Sequence, residues 1–216
     1  IFIPETIGAI VYLSRHLKHL QKNVVAGYTV TCIGDDLTYS YVPSRKETTL
    51  ADRVALHVLK HIYPNFVKYT YLERGSDERQ YCSPGVDLPV SSIMRSKYEA
   101  YSEYHTSLDD LDFVSPSGLF GGYEALRRCL LCLEHNEKLK TVVLGEPQLG
   151  KRGLHSTLSV KGITKQEVTL KHLLAFSDGN QDLLTTAEKI VVPMWELLDL
   201  VKILKEEDLL VSSSTN

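Results

Sequence analysis

Apolar positions along the chain switch between two periods, and the switches mark elements. Ile7, Ile10, Val11, Leu13, Leu17 and Leu20 recur at helical spacing in "ETIGAIVYLSRHLKHL". A β-branched run, "NVVAGYTVTCI", reads as a strand that ends at the "GDD" turn. "YSYVPS" is a short extended piece, and "TLADRVALHVLKHIY" a helix with Thr49 as its cap. "FVKYTYL" and "VSSIMRSK" read as strands, and a helix is expected from about Tyr123 within "GLFGGYEALRRCLLCLEHNEK". The opening "IFIP" reads as a buried strand end. This alternation predicts an α/β fold, a mixed and mostly parallel sheet flanked by helices.

From about Thr164 the texture changes to short helices, "TLKHLLAFSDG", "NQDLLTTAEKI" and "VVPMWELLDLVKILKEEDLLV", with a turn at "VVP" and a final extended "LLV". That order predicts a winged helix-turn-helix over residues 165–212, after an α/β domain over residues 1–160. The chain opens on "IFIPETIGAIVYL" without Met and inside a strand-like run, so further sequence is expected before residue 1.

Composition narrows the partners. With 216 residues, 43% hydrophobic and 24% charged, the chain is an ordinary globular one. A formal charge of −3 gives no electrostatic reason for nucleic acid or an acidic membrane as partner. From Lys165 onward five Lys face nine Asp and Glu, a net of −4 that would repel phosphates. No apolar run reaches 18 residues. Four cysteines without framework spacing, and no signal peptide, make a cytoplasmic setting with reduced thiols the expectation.

Three motifs imitate known chemistry. "VVLGEPQLGKRG" has the two glycines and lysine of a phosphate-binding loop, but Arg152 and Gly153 stand where a magnesium-binding hydroxyl and a helix should follow. His57 and His61 sit four apart, a spacing that can grip zinc, without the Glu of a metalloprotease helix. Cys129 and Cys132 have redox spacing inside a leucine-rich helix, which favours buried thiols.

The densest chemistry lies in "GSDERQYCSPGVDLP" and "EYHTSLDDLD". Glycines and prolines hold the first irregular, as in a binding loop beyond a strand. His and carboxylates together suit a borderline metal such as zinc. The plain alternative for His105 is a turn residue whose ring is held by Asp109.

"GSDERQYCSPGVDLPV" followed by "YHTSLDDLD" resembles the two late motifs of zinc-dependent exopeptidases, among them bacterial aminopeptidases, glutamate carboxypeptidase and the transferrin receptor ectodomain. The likeness is closer still to aminopeptidase-like proteins found near polysaccharide-biosynthesis genes, through "FIPETIGAI", "CIGDD", "SDERQY", "EYHTSLDDLDFV" and "EPQLGKRGL". The resemblance implies that His105 closes a zinc site and that Asp35, with Asp36 competing, supplies a carboxylate ligand. It implies that Glu5 is the general base, with Thr6 where a second carboxylate is expected. Asp77, Arg79 and Tyr104 would line the pocket for a small peptide or aminoacyl substrate. The early His and bridging Asp of such sites have no counterpart in the chain. Two alternatives stay open: a degenerate exopeptidase fold used for binding or assembly, with self-association through the winged helix, and a DNA-binding regulator, which the acidic helices disfavour.

Overall fold

The computed structural model describes residues 1–152 and 165–213. They form two compact units, residues 1–130 and 131–216. The divide falls at Leu130/Leu131 and not near residue 160, where the texture of the sequence changes. The reason is a strand, β5 (Lys138–Thr141), that pairs antiparallel with two strands of the second unit.

In the first unit α1 (Ile7–Asn23) precedes β1 (Gly27–Thr29), β2 (Ser40–Val42) and α2 (Leu50–Ile62). Then come β3 (Val67–Lys68), a 3₁₀ turn over Tyr71–Glu73, the single-turn α3 (Glu78–Tyr81), β4 (Val90–Met94) and α4 (Pro116–Glu134), which runs across the divide. The sheet order is β1-β4-β2-β3. β1 pairs with β4, and β2 with β3, in parallel, whereas β2 and β4 are antiparallel with Tyr41 opposite Ile93. Two of three pairings are parallel, which is the mixed, mostly parallel sheet expected.

β4 is buried along its whole length because both its faces are covered. On one face Tyr28 donates its hydroxyl to the Ala51 carbonyl and Tyr41 to Asp52, so α2 lies there. On the other, Val90 packs with Leu13 and Leu20 of α1 and with Cys82, Leu88 and Tyr81. Thr49 caps α2 as its sequence predicts: its side chain accepts from the Asp52 N–H while the Asp52 side chain accepts from the Thr49 N–H.

Four local expectations differ. "IFIP" is not a strand. β1 is three residues long, and Cys32 beyond it has a left-handed φ of 48°. β3 is cut to two residues by the 3₁₀ turn, which Thr70 and Glu73 cap. α4 starts at Pro116, seven residues before Tyr123. Its early glycines are packing sites: a Cβ at Gly118 would lie 2.0 Å from the Gly34 carbonyl oxygen, and one at Gly122 2.7 Å from that of Ile33. Glycine there lets the helix touch the backbone of the β1–β2 connection.

The second unit is a winged helix-turn-helix. Its sheet has the order β6-β5-β7, with β6 spanning Asp178–Asp182 and β7 Leu210–Ser212. α5 (Lys165–Phe176), α6 (Leu183–Ile190) and α7 (Met194–Glu206) bury Leu173, Leu184, Met194, Leu197 and Leu204. Asp182 caps α6 by accepting from the Thr185 N–H at 2.9 Å, and Val191, left-handed at φ 56°, turns the chain into α7. Among the described residues no helix is long and apolar enough to cross a membrane.

Candidate functional site

The site grows from the join between the start of α1 and the Gly75–Tyr81 segment, in the first unit. Thr6, the residue before α1, has φ 60° and ψ −67°, a conformation that a β-branched residue adopts only when its surroundings impose it. Three hydrogen bonds impose it. The Thr6 N–H donates to Asp77 Oδ1 at 2.8 Å, and Arg79 donates from its guanidinium to the Thr6 hydroxyl at 2.8 Å. The Ser76 hydroxyl donates to Glu5 Oε1 at 2.8 Å. Glu5 itself remains exposed.

A buried carboxylate shapes this segment from beneath. Glu78 is 0% exposed, and its Oε1 accepts from the Gly75 and Ser76 N–H groups at 2.8 and 3.0 Å and from the Tyr98 hydroxyl at 2.7 Å. Its Oε2 accepts from the Ser92 hydroxyl of β4 at 3.3 Å. Burial, then the charge of Glu78, pushes the Tyr98 hydroxyl well above its ordinary value, so it stays a donor. Sequence reasoning missed Ser76, Glu78, Ser92 and Tyr98. The "GSDE" string shows a local turn, but no periodicity links it to Ser92 or Tyr98.

Burial pushes the Asp77 carboxyl up, the Thr6 N–H opposes that, and the charge of Glu5 adds to it. Tyr104 lies in the same field. Burial first, and then Cys32, Glu5 and Glu99, raise its hydroxyl, while Arg79 lowers it. Its ring packs with Cys32 and Tyr69 against Val42, Met94 and Tyr98. Hydrogen bonds therefore bring Glu5 and Thr6 to Ser76, Asp77 and Arg79, with Tyr104 in the field of Glu5 and Arg79.

His105 and Asp35 are placed differently. His105 is exposed, left-handed at φ 57°, and stacks on the Tyr104 ring with centroids 3.9 Å apart. Asp109 accepts from the Tyr101 hydroxyl at 3.4 Å. Asp35 is 3% exposed. Its Oδ1 accepts from the Leu37 N–H and the Ser96 hydroxyl, and its Oδ2 from the Ser96 N–H at 2.9 Å. The carboxylate thus fastens the end of β4 to the β1–β2 connection. Neighbouring Asp36 accepts from the hydroxyls of Ser115 and Ser117, which hold its carboxyl below the usual range.

Donor chemistry alone would suit zinc, but arrangement matters as much. Asp35 is engaged by Ser96, Thr6 carries no charge beside Glu5, and His105 points its ring onto Tyr104. Among the described residues no three His, Cys, Asp or Glu side chains gather as a metal ion requires. The described residues do not by themselves assemble a zinc site.

The three imitating motifs resolve simply. His57 is buried with its ring 4.7 Å from that of His61. Cys129 and Cys132 are buried and not disulfide-bonded. After Gly145 comes a 3₁₀ turn over Leu149–Arg152 in place of a helix N-terminus; the rest of that region, residues 153–164, lies outside the described residues.

Comparisons with known proteins agree with this layout. A family model described as a domain of unknown function, DUF4910, matches residues 1–136, and a winged helix-turn-helix model matches residues 137–212. A Clostridium acetobutylicum protein, provisionally named a polysaccharide biosynthesis protein with an aminopeptidase-like domain, is 36% identical over 191 residues, 88% of this chain and 44% of its own length. The crystal structure of a provisionally assigned peptidase from Clostridium acetobutylicum superposes with a TM-score of 0.86 at 33% identity, over 97% of this chain and 46% of that one. The chain spans less than half the length of these relatives.

Proposed function

Since the chain belongs to the DUF4910 family, whose model matches its first 136 residues, we propose that it supplies part of the active site of an aminopeptidase-like hydrolase. The observation that carries this reading is the clasp of Glu5 by Ser76 and of Thr6 by Asp77 and Arg79. It leaves one exposed carboxylate beside a second acid, a guanidinium and a tyrosine. The names of the relatives, one with an aminopeptidase-like domain and one a provisionally assigned peptidase, support the same reaction class.

In that reading Glu5 accepts the proton of the attacking water and returns it to the leaving amine. Ser76 holds the acceptor oxygen Oε1, so the carboxylate keeps one orientation through both transfers. Asp77 and Arg79 present a carboxylate and a guanidinium to the termini of a short peptide or aminoacyl substrate, and Tyr104 forms an aromatic wall. Zinc dependence is proposed for the full gene product, where residues beyond those described would complete the ligand set with His105.

The test is metal analysis and hydrolysis of short peptides and aminoacyl amides by the full gene product, with and without a chelator. The reading expects stoichiometric zinc, turnover that the chelator stops, and loss of turnover in His105→Ala with unchanged folding. A second reading, a degenerate exopeptidase fold kept for binding, is favoured by Thr6 beside Glu5 and by the engagement of Asp35 with Ser96. Under it, substrate-like peptides bind without being cleaved. The winged helix-turn-helix is proposed to dock or self-associate, since its residues from Lys165 onward carry a net charge of −4 that opposes contact with nucleic acid.

A further inference from the structure

Arg95 follows β4 directly, and Asp36 lies in the connection that leaves the parallel neighbour of β4, β1. Ligands of α/β sheets gather beyond such carboxyl ends. Arg95 is 8% exposed, and its Nε has no hydrogen-bond partner among the described residues. Its guanidinium lies over the Tyr39 ring, 4.1 Å from the centroid. The carboxylate that it faces, Asp36, keeps Oδ2 on the hydroxyls of Ser115 and Ser117 and leaves Oδ1 3.9 Å from Arg95 Nη2. That gap is too long for a hydrogen bond. Buried polar groups are as a rule satisfied, and buried charges above all. This guanidinium has a carboxylate beside it and still lacks an acceptor within reach.

One oxygen closes the gap. Placed about 2.8 Å from both atoms, it accepts from Nη2 and donates to Oδ1, with roughly a right angle between the two bonds. The group that does both is a hydroxyl. A free oxyanion would accept from Arg95 but would meet the negative charge of Asp36. A water satisfies the same two atoms, but the surroundings suit a larger ligand. Ser117, Phe120 and Gly121 stand at i, i+3 and i+4 of α4 and so share one face. Gly121 lies against the guanidinium and its ring: a Cβ there would be 2.6 Å from the Tyr39 hydroxyl and closer still to Arg95 Nη1. Phe120, 64% exposed, therefore stands beside the gap with its ring open to solvent.

We propose that Asp36, Arg95 and Phe120 bind a saccharide. Hydroxyls of a pyranose ring bridge the carboxylate and the guanidinium, and the C–H face of the sugar covers the Phe120 ring. The ligand is neutral, rich in oxygen, and apolar on one side, which matches a paired charge next to an exposed aromatic. The inference holds whether or not Glu5 is catalytic, because sugar binding is read without hydrolysis.

The experiment is saturation-transfer NMR on the full gene product, with glucose, mannose, galactose and N-acetylglucosamine as probes and cyclohexanol as a ring with a single hydroxyl. At least one sugar is expected to receive saturation, and cyclohexanol none. The dissociation constant of that sugar should rise about tenfold or more in Arg95→Lys, which loses the forked donors, and in Phe120→Ala, which loses the ring. Phe120→Ala changes an exposed side chain, so it decides the matter even if Arg95→Lys fails to fold. Absence of transfer to every sugar overturns the proposal and leaves water as the occupant of the gap. Binding of parental strength in Phe120→Ala overturns it too, because the sugar then sits elsewhere. Inorganic phosphate that displaces the sugar would assign the guanidinium to an oxyanion and contradict the proposal as well.

Discussion

The main-chain N–H of Thr6 and the Oδ1 oxygen of Asp77 lie 2.8 Å apart across 71 residues of sequence. This one bond ties the start of α1 to the Gly-Ser-Asp segment and fixes where Glu5 stands. With the Arg79 bond to the Thr6 hydroxyl, it holds Thr6 in its left-handed backbone conformation. Fold and candidate chemistry therefore share a residue pair.

Asp77→Ala is expected to cost about 1–3 kcal/mol, since it frees a donor and releases a strained residue. Asp77→Asn keeps an oxygen acceptor and should cost less. Burial raises the Asp77 carboxyl above its ordinary value. The folded state therefore takes up a proton at higher pH than the unfolded state. Ionisation of Asp77 therefore offsets part of what its hydrogen bond contributes at neutral pH, and that cost is relieved as pH falls through its folded value. Denaturant unfolding at several pH values should show Asp77→Asn lacking this gain on acidification.

Removing Glu78 should be costlier. Glu78→Ala strands the N–H groups of Gly75 and Ser76 and the hydroxyl of Tyr98, all of which now donate to its carboxylate. A loss of about 3–5 kcal/mol is expected, against about 1 kcal/mol for Tyr98→Phe, which removes one donor and leaves the acceptor served by others. Chemical denaturation of the two variants checks the ranking, and equal losses would contradict it.

His57 gives the chain an acid sensitivity of its own. Burial, aided by His61 and Lys60, pushes its imidazole down to about 4. An unfolded His binds its proton near pH 6.5, so its contribution to stability is complete above that pH. It is lost as pH falls from 6.5 toward 4, by up to about 3 kcal/mol. His57→Leu should flatten the decline in denaturation midpoint between pH 7.5 and pH 4.5. A variant with the same slope as the parent would mean that other groups carry it.

Much of the fold was legible. Helical spacing located α1, α2 and α7, Thr49 was visible as a cap, a β-branched run marked β1, and short extended pieces marked β2 and β4. The misses have physical causes. The start of α4 hid behind Gly118, Gly121 and Gly122, which look like a loop and in fact admit close packing on the β1–β2 connection. β5 was counted with the first domain because a single short strand carries no sign of its partners. In the site, Asp77 and Arg79 bond to Thr6, the neighbour of Glu5. Glu78 and Ser76 were overlooked because their partners are distant in sequence. Asp35 is engaged with Ser96, a partnership that no local pattern announces.

Glu5→Gln in the full gene product tests the central claim most directly. The substitution keeps an oxygen to accept from Ser76 and removes only the ability to take a proton. Steady-state hydrolysis of an aminoacyl amide should show kcat reduced about 10²–10⁴-fold with KM little changed. The melting temperature should match that of the parent. Turnover within a few-fold of the parent would contradict the account, because the carboxylate that the Ser76 and Thr6 clasps hold in place would then have no part in the chemistry.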